Sequence, residues 1–371
     1  MAEPKIYAYY FPNWHPDAFN EKYHGKGWTE WEVLKCARPR FSGHYQPRVP
    51  VWGYEDESDP AVMAKKIDCA VEYGLSGFIF DWYWIEQGPY RIRCLDEGFL
   101  GAPNNEKLEF CVMWANHDPI YVHPASRMFN KPMICSGDVS ENAFRQLTDH
   151  CIRSYFHRPN YRRDAQGRPI FSIYELKKLV AGFGGLESTR AQLDAFRQRA
   201  RDAGIGEIHI NAVSQGLDGI HERDFARMNA VLEALCIDSV WSYFHCVQSG
   251  MIADYEEVAG RAADEFPVLT RGFCRPYSVS TFCGWDASPR TVQSEVYELL
   301  DYPFVTIQHG NTPEKFERFL QKAADFVRSG QATDDSITIY AWNEWTEGGH
   351  LEPDERFGCG NLEAVRRVLN R

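Results

Sequence analysis

Eight short apolar runs recur along the chain, and longer segments with helical periodicity lie between most of them. Ile6–Phe11, Gly77–Trp84, Leu108–Asn116, Arg168–Glu175, Glu207–Ser214, Asp238–His245, Tyr277–Cys283 and Ser336–Asn343 read as strands. The predicted helices are Pro60 to Gly74, Ser140–Phe156, Thr189–Ala203, Asp224–Leu235, Asp254–Glu265, Pro313–Ser329 and Asn361–Leu369. The first has a capping Asp59 and a proline at its first position. Strands that alternate with helices imply a parallel sheet, and eight such units in 371 residues imply a (β/α)₈ TIM barrel. An open doubly wound sheet would want a glycine-rich phosphate turn after its first strand. Phe11 is followed instead by Pro12-Asn13-Trp14-His15. No repeat or Pro/Gly/Ser linker divides the chain, so residues 1–371 are expected to form a single domain. The loop over residues 12–58 is long, and too aromatic to be disordered.

Composition narrows the partners. Hydrophobic residues at 44% and charged residues at 25% are those of a globular protein. A net charge of −12 repels phosphate backbones and anionic membrane surfaces, so neither nucleic acid nor membrane is an expected partner. No run approaches 18 apolar residues, and no basic start precedes an apolar segment. The expected location is cytoplasmic, or periplasmic or secreted if a signal peptide has been removed. The 11 cysteines contain no C-x-x-C pair and read as reduced thiols, several in apolar runs (Cys69, Cys111, Cys236).

In a barrel the chemistry sits where strands end. Asn13, Trp14 and His15 follow the first strand, and Asp81-Trp82-Tyr83-Trp84 ends the second. The third ends in Trp114-Ala115-Asn116-His117-Asp118, and the sixth in Trp241, Tyr243 and His245. Trp285 and Asp286 follow the seventh, and Trp342-Asn343-Glu344-Trp345-Thr346-Glu347 ends the eighth. The 11 Trp exceed what a core needs, and stacking on flat ligands or sugar rings is a candidate use. Glu344 and Glu347 are the sharpest pair. On a continuing strand they would face opposite ways, so the chain must curl after Asn343, which Gly348-Gly349 permits. Two close carboxylates can divide acid and base work, as glycoside hydrolysis requires. Asp81 either lines the pocket or caps a turn. His15, His117, His123 and His245 lack metal-ligand spacing, so neither metal nor cofactor is expected. A Ser-His-Asp hydrolase would want a G-x-S-x-G elbow, which is missing.

Several blocks resemble the WbsX-like domain of bacterial polysaccharide gene clusters, a group labelled as glycosyltransferases. They are Tyr10-Phe11-Pro12, Gly25-Lys26-Gly27-Trp28-Thr29-Glu30-Trp31, Gly43-His44-Tyr45-Gln46-Pro47-Arg48, Trp114-Ala115-Asn116, Gly284-Trp285-Asp286 with Pro289-Arg290, and Ala341 to Gly348. That group resembles glycoside hydrolase family 99, the endo-α-mannosidases, which are (β/α)₈ barrels. The resemblance implies Glu344 as base toward a sugar 2-hydroxyl, giving a 1,2-anhydro sugar, and Glu347 as acid/base at the glycosidic oxygen. His117-Asp118-Pro119 and Asp81-Trp82-Tyr83-Trp84 depart from the family pattern, so a mannoside preference does not carry over.

Strand ends and matching blocks together nominate His15, Trp28, Glu30, Trp31, His44, Gln46, Asp81, Trp82, Trp114, Asn116, His117, Tyr243, Trp285, Asp286, Asn343 and Trp345 for substrate binding. Trp28, Trp31, Trp82, Trp114, Trp285 and Trp345 are expected to border one cleft. The expected function is a retaining glycoside hydrolase acting on a complex glycan. The alternatives are a glycosyltransferase of surface-polysaccharide synthesis and a non-catalytic carbohydrate-binding barrel. The expected partner in every case is an oligo- or polysaccharide.

Overall fold

The computed structural model describes residues 3–129, 131–217, 224–244 and 250–371. Eight parallel strands form the centre: β1 Lys5–Tyr10, β2 Gly77–Ile85, β3 Glu109–Trp114, β4 Ile170–Ile173, β5 His209–Val213, β6 Ser239–Trp241, β7 Tyr277–Phe282 and β8 Ser336–Tyr340. Each pairs with its neighbours in sequence, and β1 pairs with both β2 and β8, which closes the (β/α)₈ barrel. The predicted strands match these eight, but several run shorter. The fourth, sixth and eighth lose their last residues because the chain leaves the sheet at the rim to form loops. His245 lies outside the described residues.

The longer helices pack around the staves: α1 Pro60–Glu72, α2 Glu141–Ser154, α3 Leu186–Asp202, α4 Phe225–Ala234, α5 Tyr255–Asp264, α6 Pro313–Arg328 and α7 Gly360–Leu369. Helix α1 starts as its sequence dictates: the Asp59 carboxylate accepts the Ala61 N–H, and Pro60 needs no acceptor. It gives way at Gly74, where φ is +91° and a Cβ would lie 2.6 Å from Leu369 Cδ1. The second crossover carries only one π-type turn, Cys94–Phe99, in place of a long helix. Among the described residues, no helix is long and apolar enough to cross a membrane. Cys111 is buried, whereas Cys236, expected in an apolar run, is exposed at the end of α4.

The two ends of the barrel are filled differently. At the floor, where strands begin, Arg162 is clamped between the rings of Tyr7 and Trp241 and donates to Ser336 Oγ at 3.0 Å. Over the opposite rim folds the long first loop, with short helices at Ala18–His24 and Trp31–Cys36. Phe11, Trp14, Trp31, Leu34, Tyr83 and Trp345 make a second apolar cluster there. Burying each such side chain is worth about 1.5–3 kcal/mol, enough to fix a loop that regular backbone pairing does not hold.

Candidate active site

The geometry of the glutamates begins with Asn343. Its amide brackets the end of β1: Oδ1 accepts the Phe11 N–H at 2.8 Å and Nδ2 donates to the Phe11 carbonyl at 2.9 Å. Behind it, Lys66 of α1 joins Glu57 and Glu352, each at 2.5 Å. Glu352 in turn accepts the indole N–H of Trp342 and of Trp345, both at 2.8 Å. The stretch is thus held from outside the barrel. Asn343-Glu344 then pairs antiparallel with Gly349-His350, and Trp345–Glu347 makes one 3₁₀ turn between them. This is the expected curl, and it brings both glutamates to one cavity. Gly348 takes φ +74°, and a Cβ there would come within 3.0 Å of Asp286. Gly349 passes so close to Tyr340 that a Cβ would lie 2.5 Å from its ring.

The cavity has a volume of about 690 Å³ and opens at the C-terminal ends of the strands. Arg290 spans the two glutamates. Its Nη1 donates to Glu347 Oε1, and its Nη2 lies 3.3 Å from Glu344 Oε2. One guanidinium reaching both sets them inside the ~9.5 Å upper limit for working glycosidase pairs. Arg290 is itself anchored by Glu30 Oε1 at 2.8 Å. Tyr302 donates to Glu347 Oε1 at 2.6 Å, and the Tyr340 hydroxyl donates to Oε2. Both oxygens of Glu347 are therefore occupied by donors, whereas Glu344 has one long bond among the described residues.

Burial pushes the Glu344 carboxyl well up from its ordinary range, and the adjacent Glu347 adds to this while Arg290 opposes it. Asp81 is a third carboxyl in the wall. Burial pushes it well up too, against the Tyr243 hydroxyl, which donates to Oδ2 at 2.6 Å. Its buried Oδ1 has no hydrogen-bond partner among the described residues. Of its two sequence readings, pocket lining is the one this placement supports.

Six nominated residues meet at this cavity: Glu344, Glu347, Asp81, His117, Tyr243 and Trp285. Trp28 stacks on His24 and lines an adjoining cavity of about 630 Å³ that shares His123 with the first. The others lie outside the main cavity's wall. Trp82 donates to Tyr155, Trp114 donates to the Trp84 carbonyl, and both pack outward toward α2. Trp31 and Trp345 pack under the first loop. A single tryptophan-lined cleft is therefore incorrect: strand alternation sends Trp82 and Trp114 to the helix side, and Trp31 and Trp345 fill the apolar cluster at the rim. His15 is buried, and burial pushes it down to about 4. Glu30 anchors Arg290, and Asn343 pins β1. Asn116 exchanges two hydrogen bonds with the backbone of Glu175. His44 and Gln46 both bond Asp286 Oδ2, at 2.7 and 2.6 Å. None of these residues lines the cavity; all but His15, whose ring nitrogens have no hydrogen-bond partner among the described residues, brace the site.

The aromatic wall is built mostly of phenylalanines and tyrosines, among them Phe11, Tyr83, Tyr90, Tyr174, Tyr243 and Phe244, together with Trp285. Arg290, Tyr302 and Tyr340 were not nominated. Arg290 does stand in a family-like block, Pro289-Arg290, but nothing local signals which carboxylates it meets. Among the described residues, no group of three or more His, Cys, Asp or Glu could hold a metal ion.

Comparison with known proteins adds to this geometry. The family described as Glycosyltransferase WbsX matches residues 6–365. The uncharacterized protein WxcX of Xanthomonas campestris pv. campestris is 30% identical over 380 residues, covering 99% of this chain. The chain spans about half the length of that relative. Among solved structures, the GH99 endo-alpha-mannosidase from Bacteroides thetaiotaomicron is similar, with a TM-score of 0.57 at 15% identity over 100% of this chain and 98% of that one. A glycoside hydrolase-like protein aligns with a TM-score of 0.64 at 14% identity, over 100% and 94% of the two chains. At such identities the likeness speaks for the barrel fold. The family match covers nearly the whole chain, and the chain belongs to the WbsX glycosyltransferase family.

Proposed function

We propose that this chain is one catalytic domain that cleaves a glycosidic bond in a complex glycan, with Glu344 and Glu347 as its working pair. The observation that carries this reading is the pair itself: two buried carboxylates, bridged by one guanidinium, on the wall of a sugar-sized cavity at the barrel's C-terminal end. Six-membered rings can lie against Tyr83, Tyr174, Tyr243 and Trp285, each such contact worth on the order of 1 kcal/mol beyond area. The tyrosines thereby take the stacking role that the sequence assigned to tryptophans.

The roles implied by family 99 give Glu344 the 2-hydroxyl and Glu347 the glycosidic oxygen, with retention through a 1,2-anhydro sugar. In the free protein, burial and Glu347 favour the proton on Glu344. Those roles therefore require the proton to change hosts once the sugar is seated. Substrates with activated leaving groups test this. Rescue of Glu347→Gln alone supports the implied roles. Rescue of Glu344→Gln alone means that the resting order persists through bond cleavage and the roles are exchanged.

The family's description as glycosyltransferase favours a second reading, in which the same pair passes the sugar to an acceptor other than water. Incubation with a panel of bacterial and plant polysaccharides separates the two. New reducing ends without added donor support the hydrolase. Transfer from an activated sugar donor, with no reducing ends released, supports the transferase.

A further inference from the structure

The cavity wall carries a second charged group that the glutamate chemistry does not use. Arg91 follows β2, lines the cavity, and holds φ +56°, a left-handed conformation that few non-glycine residues adopt. That backbone is held in place, because the Asp17 carboxylate accepts the Arg91 N–H at 2.9 Å. The guanidinium stands over the rings of Tyr83 and Tyr90, both also in the wall. Among the described residues the guanidinium makes one hydrogen bond, from Nη2 to the Asn20 side-chain carbonyl at 3.2 Å, and its buried Nε has no partner.

The contrast with other cations in the wall is sharp. Arg290 is committed to Glu30, Glu344 and Glu347. Nearby anions are committed too: Lys178 pairs with Asp118 at 2.8 Å, and Lys131 pairs with Asp301 at 2.6 Å. Among the described residues, no carboxylate lies within ion-pair distance of the Arg91 guanidinium. His24, His117 and His123 share the cavity with it. Burial pushes all three down, and Arg91 contributes in each case. They therefore stay neutral and leave Arg91, among the described residues, as a wall cation without an ion-pair partner. A half-buried guanidinium without a counter-charge is costly unless a ligand supplies one. A planar fork with free N–H groups matches a carboxylate in particular.

We propose that the sugar bound in this cavity is acidic, a hexuronic acid residue whose carboxylate docks on Arg91. This rests on the glycan-cleaving reading above for the site's use, but its own test is binding and needs no turnover. Arg91 is a specificity determinant here, distinct from the glutamates that act on the bond.

The probes are the methyl glycosides of glucuronic, galacturonic and mannuronic acid, each with its neutral hexose twin and its 6-phosphate. Binding is measured by calorimetry on the wild type, Arg91→Gln and Arg91→Asn, with thermal melts as a folding control. Asn suits the left-handed backbone and carries the test if the Gln variant folds poorly. At least one uronide should bind about tenfold or more tightly than its neutral twin. Both variants should shrink that ratio below about twofold. Equal binding of acid and neutral twins, no binding by any uronide, or an unchanged ratio in the variants overturns the proposal. A 6-phosphate that gains more than the uronide overturns the carboxylate assignment. If the glutamate variants stay active while the Arg91 ratio collapses, the catalytic reading fails and this one stands.

Discussion

The mouth and the floor of this barrel both contain buried polar networks, and they are built on opposite rules. At the floor, Ser239 begins β6 and His209 begins β5. His209 Nε2 lies 2.6 Å from Ser239 Oγ, and its Nδ1 lies 3.0 Å from Asp164. That is the bonding order of a Ser-His-Asp triad, yet Ser239 is 1% exposed and its hydroxyl is also taken by Asn211 at 2.8 Å. Arg168 closes the network by bonding Asp164 at 2.6 Å and Asp238 at 2.8 Å. At the mouth, among the described residues, the Glu344 carboxyl has one long bond, Asp81 Oδ1 has none, and Arg91 Nε has none. A network whose members satisfy one another locks strands together. One that leaves strong groups partly unsatisfied around a cavity is arranged for a ligand.

Substitutions at the two ends should separate along this line. Apart from the glutamates themselves, the largest effect belongs to Arg290→Lys, which keeps the charge but loses the fork that spans both glutamates. We expect kcat/KM to fall about 10²–10³-fold, by the measure of a single preorganised donor. Equal activity would show that the bridge is not needed. Next comes His209→Ala at the floor. It should cost roughly 1–3 kcal/mol in denaturant unfolding, because it takes one hydrogen bond each from Ser239 and Asp164 and leaves a hole in a buried network, with kcat/KM unchanged. A kinetic defect without lost stability would reverse the comparison. Tyr340→Phe removes one donor from Glu347 and should lower kcat several-fold, leaving the fold intact.

The smallest effect is on stability against pH. Burial raises the folded-state carboxyls of Asp81 and Glu344 above their unfolded values, so their favourable contribution is complete below the unfolded pKa, near 4. It is lost as pH rises through the folded value. Asp81→Asn and Glu344→Gln should therefore raise the Tm modestly at pH 7–8 and leave it unchanged near pH 4. A gain that is the same at both pH values would show that the carboxyls are not held protonated.

Much of the mouth was legible in the sequence because periodicity and position report on the backbone. Apolar runs alternating with helices gave the barrel, and the position after β8 with Gly348-Gly349 gave the curl. Side-chain direction was harder to read. Along β2, Asp81 and Tyr83 line the cavity, while Trp82 and Trp84 pack against His150 of α2. A shift of one residue exchanges these faces, and a Trp at a strand end reads the same either way. Arg290 was hidden for another reason. Its anchor, Glu30, is 260 positions away, and such a pairing exists only once the chain has folded.

Both networks predict an outcome, but Glu344 and Glu347 decide whether the mouth is catalytic. The most direct measurement is release of reducing ends from the best-cleaved glycan by wild type, Glu344→Gln and Glu347→Gln, beside their melting curves. Each variant should lose about 10²–10⁴-fold in turnover while melting at or above the wild-type temperature and still binding the glycan. Turnover at the wild-type rate by both variants would contradict the assignment of the site.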